Sequence, residues 1–237
     1  MKLDREQKTL RQRILEVSHR QRLSHLGSCL SAVDILAAVY KVKKKKERFV
    51  LSCGHAGIAL YAVLERAGLL KIPELDRLHI HPDRDPRKGI DVSTGSLGQG
   101  LPIAVGMALA DRKKNVYCLI SDGECAEGSV WEALRVATDQ KLCNLKIIVS
   151  ANGWGAYDPV SAPLLLKRLK GFGFSVKKAD GHDANQLCRL LKAHSGHQPF
   201  ILFAETDAEQ LPFLKGQDAH YHVMTEAEYE TAMGLFK

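Results

Sequence analysis

The chain has 237 residues, of which 45% are hydrophobic and 6% aromatic, and it carries 34 Lys and Arg against 27 Asp and Glu. This length supports one large domain or two small ones around a buried core, and the composition excludes a wholly disordered chain. Segment 1–10 is charged and lacks the apolar centre of a signal peptide, while the most apolar stretch, 101–110, is only about half a membrane span. We therefore expect a soluble protein without an export signal and with no membrane partner.

The six cysteines are scattered along the chain, and no two of them form a C-x-x-C pair. This spacing favours neither a zinc site nor a small disulfide framework. A reduced, cytoplasmic location is the simplest expectation for such a chain.

The formal net charge of +7 is concentrated in one run, because Lys41–Arg48 contains six bases and one acid. Segment 205–237 has the opposite balance, with seven acids and two bases. The run is typical of a solvated loop, and the alternative is an electrostatic funnel for a phosphorylated or nucleic-acid ligand. Nucleic-acid binding is the less favoured use, since no aromatic residues alternate with the lysines to stack on bases.

In chain order, apolar residues at i, i+4 and i+7 from Leu10 predict an amphipathic first helix that ends at Leu26 and Gly27. A second helix is predicted over Ser31–Tyr40, beginning with a serine cap. Apolar runs bounded by glycine turns then predict five strands separated by helices. The predicted strands are 48–52, 116–121, 145–151, 174–179 and 200–206, and the helices lie at about 55–67, 127–140, 163–169 and 183–193.

Continuous apolar strands that alternate with helices predict an α/β fold, a parallel sheet covered by helices on both faces. Ligands in such sheets bind beyond the carboxyl ends of the strands, where the glycine turns fall. Segment 71–100 is punctuated by proline and glycine, and an irregular stretch of this length is more often functional than accidental.

Two polar residues follow neighbouring predicted strands at this edge. Asp122 closes one strand, Asn152 closes the next, and Gly123 allows close approach of an anion to the backbone. Carboxylate and amide oxygens suit Mg²⁺, which completes its coordination with phosphate oxygens and water. Taken alone, the same residues are more typical of two ordinary turns.

Five segments together resemble the thiamine diphosphate binding N-terminal part of transketolase, and the resemblance runs from about residue 10 to the C-terminus. The segment at 48–64 contains the S-x-G-H-A turn of that family. The five are SHLGSCLSAVDILAAVY (24–40), RFVLSCGHAGIALYAVL (48–64), GIDVSTGSLGQGLPIAVGMALA (89–110), SDGECAEGSVWEA (121–133) and LCNLKIIVSANG (142–153).

The resemblance implies roles for matching positions in binding thiamine diphosphate and Mg²⁺. Asp122 and Asn152 would be side-chain ligands of the metal, with the backbone carbonyl of Trp154 as a third protein ligand. Gly123 and His55 would contact the diphosphate. The residues whose backbone would meet the aminopyrimidine ring are Ser96, Leu97 and Gly98.

The resemblance also implies a substrate channel and a partner contact. His25, His81 and His220 match histidines that hydrogen-bond ketose hydroxyls and assist proton transfer, as imidazole can do near neutral pH. Glu127 and Glu132 match carboxylates at the contact with the complementary domain.

Three departures from the family pattern are visible. Ser121 replaces the first glycine of the G-D-G triplet, and Leu26 replaces a proline. The segment Thr206–Gln210 stands where the family has a Lys- and Gly-rich turn near the active site, so a changed substrate preference is expected.

In the family, a glutamate from a second domain activates the cofactor across a dimer interface. We therefore expect residues 1–237 to form a single diphosphate- and Mg-binding domain, with 205–237 as its C-terminal extension. The chain would be the first half of a split transketolase, forming a dimer of heterodimers with a second chain that carries the pyrimidine-binding and C-terminal domains.

The expected activity is transfer of a two-carbon ketol unit from a ketose or ketose phosphate to an aldose. One alternative is a related thiamine diphosphate enzyme that makes a branched sugar or acyloin in specialised metabolism. Another is a scaffold protein that binds cofactor without catalysis.

Overall fold

A five-stranded parallel sheet lies at the centre of this computed structural model, which describes residues 3–71, 75, 78–156, 158–193 and 198–237. The predicted parallel α/β fold is confirmed. The strand order is β1-β2-β3-β5-β4, with every neighbouring pair parallel. The strands are β1 Arg48–Leu51, β2 Val116–Ser121, β3 Leu145–Ala151, β4 Ser175–Asp180 and β5 Phe200–Glu205.

Helices cover both faces of the sheet because alternate side chains of the buried strands point in opposite directions. In β2, Tyr117 and Leu119 face the core shared with α1, α2, α3, α7 and α8, whereas Cys118 and Ile120 face α4, α5 and α6. The helices in the described ranges are α1 Arg5–Arg20, α2 Leu26–Val42, α3 Gly57–Arg66, α4 Gly100–Ala110, α5 Gly128–Asp139, α6 Ala162–Lys170, α7 Ala184–Ala193 and α8 Glu226–Leu235.

The predicted boundary between the first two helices is wrong. Leu26 and Gly27 do not end α1 but begin α2, and His25 precedes them in the left-handed conformation with φ 64°. Gly27 is small for a packing reason: a Cβ there would lie 2.9 Å from the carbonyl oxygen of Ala208. The glycine therefore marks a close approach between α2 and the segment after β5.

Two helices, α4 and α8, are absent from the sequence-based prediction. The sequence of α4 is apolar on all sides, so it gives no amphipathic signal. In contrast, α8 begins with a capping box in which Thr225 and Glu228 bond each other's backbone, a signal present in the sequence.

The basic run begins within α2 and continues into the turn before β1. Lys41 contacts Glu6, the Lys43 ammonium donates to the carbonyl of Glu47, and residues 45 and 46 are exposed. Within the described ranges, no helix is both long and apolar enough to cross a membrane.

The carboxyl edge of the sheet brings distant segments together. Ser121 and Ser150 are paired at the ends of β2 and β3. The segment before α4 is fixed to β1, because the Thr94 hydroxyl donates to the carbonyl of Leu51 and the Asp91 carboxylate accepts from the amide of Phe49. Residues 72–74, 76 and 77 of the irregular stretch lie outside the described ranges.

Candidate functional site

A cleft of about 570 Å³ opens at the carboxyl edge of the sheet. Its walls come from the loops after β1, β2, β3 and β5, the segment before α4 and the start of α2. The predicted site residues that line it are His25, His55, His81, Ser96, Leu97, Gly123, Glu127, Asn152, Trp154 and His220. The fold thus gathers residues from distant parts of the sequence, from 25 to 220, into one cavity.

Three predicted residues do not line the cleft. Asp122 and Gly98 are adjacent in sequence to lining residues, and Asp122 is buried. Glu132 lies on the exposed surface of α5, where it pairs with Arg135 at 3.3 Å. By contrast, Glu127 lies where the turn after β2 enters α5 and lines the cleft.

Asp122 is 1% exposed and has backbone partners on both carboxylate oxygens. Its Oδ1 accepts from the amide of Gly123 at 3.0 Å, and its Oδ2 accepts from the amide of Gly153 at 2.7 Å. Burial raises the pKa of Asp122 to about 7, although these amides oppose the shift. A bound cation would favour the ionised carboxylate by supplying positive charge.

Asn152 lies directly after β3, and its side chain is oriented by two neighbours. Its Oδ1 accepts from the backbone amide of Trp154 at 3.0 Å, and its Nδ2 donates to the Ser31 hydroxyl at 3.3 Å. The adjacent Gly153 amide binds Asp122, so the two predicted metal ligands are held by one short segment.

The donor set fits a hard divalent cation. Each Asp122 oxygen accepts one backbone hydrogen bond, and a carboxylate offers about four lone-pair sites, so capacity for a metal remains. The described residues contain no group of three His, Cys, Asp or Glu placed to hold a metal. A site here would use one carboxylate, the Asn152 amide and backbone oxygen, with other ligands from phosphate and water.

Gly123 leaves space that a larger residue would fill. A Cβ at this position would lie 2.8 Å from the Gly155 Cα and 3.2 Å from the carbonyl oxygen of Trp154. The two glycine-containing turns therefore approach each other closely at the floor of the cleft, where backbone can contact an anion.

Three histidines form a contiguous wall of the cleft. The ring centroids of His25 and His220 are 4.5 Å apart, and each lies 5.5 Å from that of His55. The His25 amide donates to the carbonyl of His220 at 3.0 Å, which fixes the segment after β5 against the start of α2. His81 also lines the cleft and packs beside Gly95.

Burial disfavours the charged form of the His25, His55 and His220 rings. Burial lowers the pKa of His55 to about 3 and that of His25 to about 4, and neighbouring histidines add to both shifts. Burial also lowers the pKa of His220. A neutral imidazole has one donor and one acceptor nitrogen, so these rings can either donate a hydrogen bond to a hydroxyl group or accept one from it.

The altered segment Thr206–Gln210 contributes Ala208 and Glu209 to the cleft. Its backbone is tied to the rest of the fold, since the Asp207 amide donates to His182 Nε2 at 3.0 Å and the Gln210 side chain accepts from Arg11 at 2.8 Å. The Glu209 carboxylate accepts from the amide of Gly216 at 2.9 Å.

Tyr221 and Glu124 are among the cleft residues that the sequence-based prediction misses. Tyr221 stacks edge-on against His220 with centroids 4.7 Å apart, and Glu124 is fully buried at the cleft floor. Glu124 directly follows the Asp122-Gly123 pair, so an acid next to a predicted anion site is the signal that the sequence offers.

Comparison with known proteins gives a family match over most of the chain. The family model described as "Transketolase, thiamine diphosphate binding domain" matches residues 5–207. Transketolase of Homo sapiens is 41% identical over 209 residues, which cover 77% of this chain and 33% of that protein. The chain therefore spans about a third of the length of such relatives.

Other relatives have nearly the same length as this chain. The 6-deoxy-6-sulfo-D-fructose transketolase subunit of Clostridium sp. is 33% identical over 260 residues, covering 98% of this chain and 94% of that protein. One of the subunits of the apulose-4-phosphate transketolase of Phocaeicola vulgatus is 30% identical, with coverage of 94% and 89%. The structure of this chain superposes on the crystal structure of transketolase from Campylobacter jejuni with a TM-score of 0.84. The two sequences are 26% identical, and the match covers all of this chain and 43% of that one.

Proposed function

The chain belongs to the transketolase family through its thiamine diphosphate binding domain, and on that premise we propose that it is the cofactor-binding subunit of a two-chain transketolase. The observation that carries this proposal is that Gly123, Asn152 and the histidine wall line one cleft, while the buried Asp122 accepts from the amide of Gly153 next to Asn152. That arrangement offers a metal and diphosphate site next to groups that bind sugar hydroxyls.

In this proposal, Asp122, Asn152 and the carbonyl of Trp154 would hold Mg²⁺, which would supply positive charge next to the diphosphate. Gly123 and His55 contact the diphosphate, while the backbone of 96–98 receives the aminopyrimidine. When bound, thiamine diphosphate supplies the carbon nucleophile for ketol transfer.

The histidines would then act on the substrate. In this proposal, His25, His81 and His220 bind ketose hydroxyls and exchange protons with them, as imidazole side chains can. Burial lowers the pKa of both His25 and His220, which supports the hydrogen-bonding part of this role, because an uncharged ring can both donate and accept.

We further propose a second chain that carries the pyrimidine-binding and C-terminal domains, in a dimer of heterodimers. The two near-full-length relatives are named as subunits, which supports this division. Glu127 and Glu132 would lie at the contact with that chain. Residues 1–237 would act as one cofactor-binding domain with 205–237 as its extension, an arrangement supported by stacking of His19 on Tyr229 at 4.3 Å.

The proposed donor is a ketose or ketose phosphate. The same two relatives are named for a sulfonated and a phosphorylated sugar, which supports this substrate class. Glu209 in the cleft favours, as a second candidate, a related enzyme acting on another acceptor. A cytoplasmic location is proposed as well, since the six cysteines are free thiols.

The test is calorimetric titration of the full chain with thiamine diphosphate, with and without Mg²⁺. We expect binding that requires Mg²⁺ and is lost in Asp122→Ala but retained in Glu132→Ala, which removes an exposed acid. Metal-independent binding, or none, would contradict the proposal. Separately, ketol transfer by the chain alone would exclude the need for a second chain.

A further inference from the structure

Glu124 joins three segments of the cleft through a single oxygen. It lies in the short turn after β2 and is 0% exposed. Its Oε1 accepts from the Ser52 hydroxyl at 2.5 Å and from the amide of Gly98 at 2.7 Å. The loop after β1, the segment before α4 and the turn after β2 thus meet at one carboxylate.

The same peptide segment is held from its other side by α5. The Ser129 hydroxyl donates to the carbonyl of Gly98 at 2.9 Å, so both backbone polar groups of Gly98 are bound by residues 124–129. Gly98 has φ +76°, and a Cβ there would lie 2.4 Å from the Ser129 Oγ and 2.6 Å from the Glu127 Cβ. The position of the peptide is therefore fixed by contact as well as by hydrogen bonds.

Packing alone does not explain a glutamate at this position. Its second oxygen, Oε2, is buried and accepts no hydrogen bond within the part of the chain that the structure describes. An unsatisfied buried oxygen is unfavourable, and an apolar side chain of similar size would avoid that penalty. What the carboxylate adds is an acceptor for Ser52 and Gly98 at the same point.

We propose that Glu124 and Ser129 are positioning residues that clamp the Gly98 peptide and so hold Ser96–Gly98 in the conformation that receives the aminopyrimidine ring of the cofactor. The inference rests on the proposed function, because that function makes 96–98 a cofactor contact. Neither residue need touch the cofactor, since both act through the Gly98 backbone.

The experiment compares Glu124→Leu with Glu124→Gln in the full chain. Hydrogen exchange of a peptide covering 96–100 reports the clamp without any cofactor, and calorimetry with Mg²⁺ reports thiamine diphosphate affinity. Leucine should speed Gly98 amide exchange and weaken cofactor binding about tenfold each, as expected for a lost charge-assisted bond. Glutamine retains an acceptor oxygen and should stay within about threefold of the native chain in both measurements.

Ser129→Ala provides a second test that removes only a hydroxyl. It should weaken cofactor binding about threefold to tenfold and leave the far-UV circular dichroism spectrum unchanged. If Glu124→Leu does not fold, Ser129→Ala tests the clamp by hydrogen exchange of the 96–100 peptide and by thiamine diphosphate affinity.

Unchanged exchange and affinity in Glu124→Leu and Ser129→Ala would overturn the clamp, as would a glutamine variant as defective as leucine. Failure of the native chain to bind thiamine diphosphate would instead overturn the proposed function, and with it the cofactor role of the clamp. The exchange measurement needs no cofactor, so the two failures are distinguishable.

Discussion

Two aspartates, each 1% exposed, have opposite electrostatic environments. Asp34 in α2 receives two bonds from Arg11, at 3.0 and 2.6 Å, and lies 2.7 Å from His182 Nδ1. Burial alone would raise its pKa, but the bonds from His182 and Arg11 lower it. Asp122 is bound instead by backbone amides, and burial raises its pKa to about 7.

The difference separates a structural charge from one available for binding. The charge of Asp34 is compensated within the fold by Arg11. Together with the contact between Asp34 and His182, this ion pair links α1, α2 and the loop after β4. The carboxylate of Asp122 is held by neutral amides, which leaves it suited to an external cation.

The largest expected effect follows from breaking the compensated pair. Asp34→Ala leaves Arg11 buried without its carboxylate, so the free energy of unfolding should fall by about 3–5 kcal/mol. Urea unfolding followed by circular dichroism measures this loss. A decrease below about 1 kcal/mol would show that Asp34 is not the compensating charge.

Removing the uncompensated charge should affect binding rather than folding. In Asp122→Asn, Mg²⁺-dependent affinity for thiamine diphosphate should fall about a hundredfold, since an amide is a weaker ligand for this cation. The metal-free midpoint of urea unfolding should decrease much less than in Asp34→Ala, because removal of a buried charge offsets the one backbone hydrogen bond that the Asn amide group cannot accept. If cofactor affinity and stability both fell strongly, Asp122 would resemble Asp34 in contributing mainly to folding.

The histidine wall predicts a pH dependence of intermediate size. The folded pKa of His55, about 3, lies below its ordinary value of 6.5. The unfolded chain therefore binds a proton that the folded chain does not, and stability should decline as pH falls from 6.5 towards about 3.

His55→Asn removes that titration and should flatten the decline by about 1 kcal/mol over the first pH unit below the ordinary histidine pKa. Urea midpoints at the two ends of that range test this. His222→Asn is a control, because His222 lies 3.0 Å from Glu228 on the C-terminal segment, away from the wall. An equal effect of both substitutions would count against the buried wall as the origin.

The smallest effect is expected at the exposed acid on α5. Glu132→Gln should change the free energy of unfolding by less than about 0.5 kcal/mol, because its pair with Arg135 is exposed to solvent. The same urea titration measures it. A decrease in the free energy of unfolding above about 1 kcal/mol would mean that the exposed Glu132 contributes to stability as a buried acid does.

The sheet and much of its carboxyl edge can be predicted from the sequence. Runs such as 116–121 and 145–151 are mainly apolar, and each ends next to a turn residue, so the pattern locates β2, β3 and the polar residues after them. Parallel pairing then places Asp122 and the segment 152–153 at one edge.

The remaining features depend on contacts between distant residues. Arg11, Asp34 and His182 come from separate segments, and no local pattern shows that their side chains meet. The predicted start of α2 is misplaced because Gly27 is typical of a helix end, whereas its role is contact with Ala208. The clamp on Gly98 becomes visible only where three loops meet.

The left-handed backbone of His25 has a consequence for selection and design. A residue with a Cβ at φ 64° carries a strain of about 1 kcal/mol that glycine avoids. Glycine at position 25 would relieve that strain but would also remove the ring that packs against His55 and His220. At this position relief of backbone strain and the geometry of the wall are opposing objectives, and a substitution chosen only to remove the strain would remove the residue that completes the wall.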